Sequence, residues 1–216
     1  MPLPVTYATR LASYRLAAED RAVVIELPDR IVLVVADGAG GITHGAAAAD
    51  AVVGLVREHA HELADVEDCI ELLREADHVV KATGGETTAV LLVIDEGGIY
   101  GASCGDSEAW VIREDGSIDD LTGGQHLKKR LGSGRAVPVG FERIGALRGT
   151  LVAGTDGVFR YAQPTAIAEV VTSAVTPTDA AEALIELVRP GGSGELIDDV
   201  AVVVVVRELN FEGALA

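Results

Sequence analysis

Cysteine is nearly absent: Cys69 and Cys104 are the only two in 216 residues. One falls in helical-looking sequence and the other in a β-rich run, which excludes both a disulfide framework and metal-finger spacing and points to a reducing, cytoplasmic setting. Aromatic residues make up 4%, with a single tryptophan, Trp110, that reads as a packing residue rather than a binding platform. Basic residues are also scarce, 17 against 34 acidic ones, and the net charge of −17 disfavours nucleic acid and anionic membrane surfaces as partners. No apolar run is long enough to span a bilayer, and the opening MPLPVTYATRLASYRL has no apolar signal core, so neither membrane insertion nor secretion is expected. Low-complexity tracts and long linkers are missing too. With 49% hydrophobic residues, the chain is expected to fold as one domain, residues 1–216.

What is present is a blockwise alternation of strand-like and helix-like sequence. RAVVIEL and IVLVVA, joined at Pro28-Asp29-Arg30, predict a hairpin over residues 21–36. Ala-rich sequence then predicts helices over about 45–60 and 66–82. ETTAVLLVID, GIYGASC and EAWVIRE follow, separated by turn-forming Asp and Gly, and read as an antiparallel meander. Residues 119–148 show no clear period and are expected to be a long loop or flap. A strand at TLVAGT leads to two further helices, about 164–174 and 177–188, the second with Thr176 as N-cap and Pro177 in the first turn. The chain closes this pattern with VAVVVVV, an unbroken β-branched run that needs cover on both faces. Such blocks predict antiparallel sheets with helices packed outside them.

Three aspartates share a context. Asp37 and Asp156 each end an apolar strand and precede glycine, and Asp198 stands just before the most apolar strand. Asp-Gly is also common turn chemistry, and Asp115-Gly116, set among polar residues, reads as a hairpin turn only. Around Asp37 the glycines allow close approach of the backbone and leave carbonyl oxygens exposed. Carboxylates, carbonyls and water suit hard cations such as Mg²⁺ or Mn²⁺. His44, His59, His61, His78 and His126 have no zinc-ligand spacing, and Ser107 has no histidine-based triad.

The segments Arg15-Leu16-Ala17-Ala18-Glu19-Asp20, VVADGAGG, GGETTAV, YGASCGDSEAW, LVAGTDGVF and IDDVAVVVV occur in one order over about residues 15–206. In that order the chain resembles the type-2C, metal-dependent serine/threonine phosphatases (PPM) of compact bacterial type; six short motifs in register are far more specific than any one. The resemblance implies an α+β fold: a central sandwich of two antiparallel sheets flanked by helices, α-β-β-α. It further implies hydrolysis of phosphoserine or phosphothreonine in phosphoproteins at a site of two or three Mn²⁺ or Mg²⁺ ions. Asp37 corresponds to the bridging carboxylate, Gly38 to a carbonyl ligand, and Asp156 and Asp198 to further ligands. Asp106 corresponds to a ligand of a third, weaker ion, Glu19 to an acidic residue at the metal shell, and Arg15 to the phosphate-binding arginine.

Some positions depart from the family pattern. Ala39 stands where many relatives have a histidine proposed to protonate the leaving group, Glu108 where arginine is common, and Ala201 where a hydroxyl residue is usual. In the flap segment, Lys128, Lys129, Arg130 and Arg135 can guide an acidic, phosphorylated substrate into a negative protein, or simply face water. The implied partners are phosphorylated proteins, a serine/threonine kinase or its targets among them. The competing readings are a pseudophosphatase that binds phosphoproteins without turnover and an acidic structural domain with incidental Asp-Gly turns. Retention of all three aspartates favours the enzyme.

Overall fold

The computed structural model describes residues 3–14, 18–39, 44–125, 129–191 and 194–207. Twelve strands and five helices are assigned among them. One sheet joins β1 (Val5–Ala12), β12 (Val200–Arg207), β11 (Thr150–Gly154), β8 (Glu108–Ile112) and β9 (Ile118–Asp120), in that order. The other joins β10 (Val139–Ile144), β7 (Gly98–Cys104), β6 (Ala89–Ile94), β3 (Ile31–Ala36) and β2 (Arg21–Glu26). Every pairing is antiparallel. The short β4 (Gly38–Ala39) and β5 (Glu86–Thr87) form a third, two-stranded piece.

The period-2 alternation of the strands sorts the core into three layers. In β3, Ile31, Leu33 and Val35 face the opposite sheet, while Val32 and Val34 pack with α1 (His44–His59) and α2 (Val66–Lys81). In β12, Ala201, Val203 and Val205 join the layer between the sheets, and Val202 and Val204 meet Ile167 of α4 (Pro164–Ser173) and Leu184 of α5 (Pro177–Leu187). The unbroken run in VAVVVVV is thereby explained, because both faces of β12 are covered. Burying a valine or leucine is worth about 1.5–3 kcal/mol, so these doubly covered strands anchor the frame. The α-β-β-α sandwich expected from sequence is the fold observed.

Local chemistry sets the element ends. Asp65 caps α2 by accepting the backbone N–H groups of Glu67 and Asp68. Thr176 caps α5 with Pro177 in its first turn, as the sequence predicts, and Asp179 completes a reciprocal capping box. Asp115-Gly116 is a hairpin turn, Gly116 N–H donating to Arg113 O at 2.9 Å. No helix among the described residues is long and apolar enough to cross a membrane.

Three elements differ from expectation. Residues 5–12 form an edge strand, β1, paired along its length with β12. The segment 119–148 is only in part a loop: β9 extends into it, and β10 pairs with β7 from Val139↔Ser103 to Ile144↔Gly98. Both unforeseen longer strands lie on sheet edges, where one side of the ladder is open and polar residues such as Thr6, Arg10, Glu142 and Arg143 are tolerated, so the hydrophobic pattern is diluted. A single helical turn, α3 (Asp156–Phe159), follows β11.

Candidate active site

Strand register brings the acidic motifs to one end of the sandwich. In the β2–β3 hairpin Arg21 pairs with Ala36, so the residues just outside the ladder, Asp20 and Asp37, are neighbours. In the other sheet Gly154 pairs with Val202. Thr155 continues the contact: its N–H donates to Ala201 O, and its hydroxyl accepts Ala201 N–H, each at 3.0 Å. That clasp sets Asp156, the first residue of α3, beside Asp198 and Asp199.

Asp37 is held by its backbone, which leaves the carboxylate for other work. Its N–H donates to Thr88 Oγ1 at 3.0 Å, and its carbonyl accepts both Thr88 N–H and the Thr87 hydroxyl at 2.9 Å. Behind it, the Thr88 and Ser107 hydroxyls are 2.6 Å apart in the buried interior. Three motifs, VVADGAGG, GGETTAV and CGDSEAW, are thus one hydrogen-bonded unit. Gly38 has no room for a side chain, since a Cβ would stand 2.3 Å from Gly45 O and 2.7 Å from Glu19 O. The absence of that atom lets α1 close on the loop carrying Asp37.

Asp199 organises the strand-to-strand segment after β1. It accepts the Ser13 hydroxyl at 3.1 Å, Tyr14 N–H at 2.7 Å and Glu19 N–H at 2.7 Å. Arg15 lies outside the described residues, between two points that Asp199 holds.

The electrostatics of the cluster are those of crowded carboxylates. Burial and the neighbouring Asp37 charge push Asp20 up to about 9. Burial, then the charges of Asp156 and Asp198, raise Asp37 to about 6, against a lowering contribution from Arg130. Asp156 is raised by burial, Asp198 and Asp106, and Arg160 opposes this from 3.5 Å. Glu19 Oε1 and Asp20 Oδ2 are buried oxygens with no hydrogen-bond partner among the described residues. Buried acceptors of this kind are normally satisfied, and a divalent cation with its waters would satisfy these. Among the described residues no three His, Cys, Asp or Glu side chains are close enough to form a tight chelate. Carboxylates are the donors a hard ion such as Mg²⁺ takes, one or two directly and the rest through waters it keeps. The donor set is all oxygen, so the residues fit a hard cation and not zinc.

The sequence-predicted residues Asp37, Asp156, Asp198 and Asp106 therefore influence one another in space, with Glu19 and Gly38 packed at the same end. Asp20, Thr88, Thr155, Ser107 and Asp199 were not foreseen as site residues. Asp20 could have been found from hairpin register alone, because it faces Asp37; the hydroxyls carry no sequence signal beyond lying near strand ends. Of the flap residues, Arg130 reaches the site electrostatically, whereas Lys129 and Arg135 are exposed and Lys128 is outside the described residues. Glu108 accepts the Trp110 indole N–H at 2.8 Å, and Trp110 packs on Phe159. Ala39 pairs with Glu86 in the β4–β5 ladder. A cleft of about 880 Å³ lined by Arg113, Leu147 and Arg148 lies at the opposite pole and takes no part in the acidic cluster.

Comparison with known proteins places the fold. The catalytic domain of the serine/threonine phosphatase PstP, solved in complex with two manganese ions, is similar at 21% identity and a TM-score of 0.77, over 95% of this chain and 98% of that one. Stp1 from Staphylococcus aureus, a serine/threonine phosphatase, is similar at 22% identity and 0.77, over 96% of each chain. A bacterial serine phosphatase carrying an arginine-to-alanine substitution gives 20% identity and 0.81, over 95% of this chain and 99% of that one. No curated protein sequence gives a significant match. The sequence model of the family described as Stage II sporulation protein E (SpoIIE) matches residues 28–208. With that match over most of its length and the fold of the bacterial type-2C phosphatases, the chain belongs to the SpoIIE family of the PPM class.

Proposed function

We propose that this protein hydrolyses phosphoserine or phosphothreonine in phosphoproteins, using two or three Mn²⁺ or Mg²⁺ ions. The observation that carries this reading is the convergence of Asp37, Asp156 and Asp198 at strand ends, together with the unpartnered buried oxygens of Glu19 and Asp20. Asp37 and the Gly38 carbonyl, with Asp156 and Asp198, would hold the main pair of ions, and Asp106 and Glu19 would complete the outer positions. Divalent cations bound there supply Lewis-acid activation of the phosphoryl group and of the attacking water.

The protein's own residues do the positioning. Thr87 and Thr88 hold the Asp37 backbone so that its carboxylate enters the site without a costly rearrangement. Thr155 fixes the start of α3 and with it Asp156. Arg15 would grip phosphate oxygens in a planar fork that lysine cannot supply. With Ala39 where relatives carry histidine, no side chain at that position protonates the leaving alkoxide, and a bound water or the substrate's own surroundings would have to serve.

Phosphate release from a phosphothreonine peptide with Mn²⁺, with Mg²⁺ and with chelator tests the proposal, alongside Asp156→Asn. Cation-dependent release that collapses in the variant is expected. A folded protein that releases no phosphate with either cation would overturn the hydrolase reading.

A further inference from the structure

The flap is tied to the body of the protein more closely than a substrate loop requires. Cys104 Sγ–H donates to Lys129 O at 3.1 Å. Leu131 and Thr87 exchange backbone hydrogen bonds of 2.8 and 3.0 Å, which places Leu131 in line with the β4–β5 ladder that carries Gly38. The strongest tie comes from α2. The carboxylate of Asp77, itself only 6% exposed, accepts three backbone N–H groups: Gly132 at 2.7 Å, Gly134 at 3.1 Å and Ala136 at 3.3 Å.

This is an anion nest with a side chain of the same protein as its anion. Its alternating geometry needs left-handed backbone at Gly132 (φ +94) and Gly134 (φ +68). Any side chain at Gly132 would meet Gly85 O at 2.5 Å. A buried carboxylate on a helix facing sheet and loop is costly unless paired, and among the described residues the flap supplies the donors to Asp77.

We propose that Asp77 is a positioning residue: by ordering the backbone of residues 132–136 it sets Arg130 beside Asp37, where Arg130 receives the phosphate of the substrate. Arg130 directly precedes Leu131, whose partner Thr87 also holds the Asp37 carbonyl at 2.9 Å. The role of Arg130 toward phosphate rests on the phosphatase reading; its dependence on Asp77 does not.

An arginine next to a cation-binding carboxylate opposes the cation and attracts the phosphate, so the two affinities move in opposite directions when it is lost. In the full chain, Mn²⁺ binding and inorganic phosphate binding to the Mn²⁺-loaded protein are measured by calorimetry for wild type, Arg130→Ala, Asp77→Asn, Asp77→Ala and the Asp77→Ala/Arg130→Ala double variant. Arg130→Ala is expected to tighten Mn²⁺ about threefold and weaken phosphate about tenfold. Asp77→Ala should shift both in the same senses, Asp77→Asn less, and the double variant no further than Arg130→Ala alone. Amide exchange at Gly132, Gly134 and Ala136 should quicken in the Asp77 variants. KM for a phosphothreonine peptide should rise with phosphate affinity while kcat changes less.

Additive effects in the double variant, or loss of Mn²⁺ and phosphate affinity together, would overturn the proposal. So would faster exchange with both affinities unchanged. If Asp77→Ala does not fold, Asp77→Asn carries the comparison. Failure of the phosphatase reading appears separately, as a wild type that hydrolyses no peptide, while Mn²⁺ affinity and exchange still decide whether Asp77 sets Arg130.

Discussion

The hydroxyls of Thr88 and Ser107 lie 2.6 Å apart in the interior, and Thr88 also accepts the Asp37 N–H at 3.0 Å. One buried contact therefore links the loop bearing Asp37 to the turn bearing Asp106. Replacing Thr88 by valine keeps the shape but strands two polar groups. The expected cost is about 1–3 kcal/mol for each group left unsatisfied. Denaturant unfolding of Thr88→Val measures it; a loss under about 0.5 kcal/mol, the usual effect of a surface change, would deny the contact its role.

Cations should stabilise the fold. Burial and neighbouring charge, that of Asp198 among them, raise the proton affinities of Asp37 and Asp156, and a bound divalent ion relieves that repulsion. At a hundred times its Kd the ion contributes about 2.7 kcal/mol, or a rise in Tm of roughly 5–10 °C for a chain of this size. Melting with Mn²⁺ and with chelator should show the rise in wild type and a smaller one in Asp156→Asn. Equal midpoints would count against the site.

Asp199 should act through the segment it holds. Asp199→Ala removes the acceptor for Ser13, Tyr14 and Glu19, so exchange of the Tyr14 and Glu19 amides should quicken. Because Arg15 lies within that segment, phosphate affinity should fall about tenfold, the order expected for loosening a charge-assisted contact. Unaltered exchange at Tyr14 and Glu19 would refute the tether.

The two thiols should be inert. Burial pushes Cys69 up to about 12 and Cys104 up to about 11, and the reactive thiolate is the minor form below those values. At pH 8 a disulfide reagent should leave native protein unlabelled and titrate two thiols after unfolding. Rapid labelling of either in the native state would show that its burial is wrong.

Much of the site was readable before the fold. Asp37, Asp156 and Asp198 stand out because each borders a run of apolar β-formers, and strand ends are where a rigid sheet presents side chains. Asp20 was less visible, although the hairpin register that opposes Arg21 to Ala36 puts it beside Asp37. Asp77 carried no signal: on a helix rich in Glu and Asp it reads as one more solvated charge, and only the packing of α2 against residues 132–136 makes it a buried acceptor.

The division follows the range of the forces. Sequence by itself determined the strands that are buried on both faces, the four longer helices and the Thr176 cap, the Asp115-Gly116 turn and the order of the acidic motifs, because hydrophobic periodicity and turn chemistry act between near neighbours in the chain. Tertiary structure alone decided the edge strands β1 and β10, the Thr88–Ser107 contact, the grip of Asp199 on Ser13, Tyr14 and Glu19 and the nest around Asp77. Those rest on hydrogen bonds between groups far apart in sequence, whose formation depends on the sheets having already brought them together.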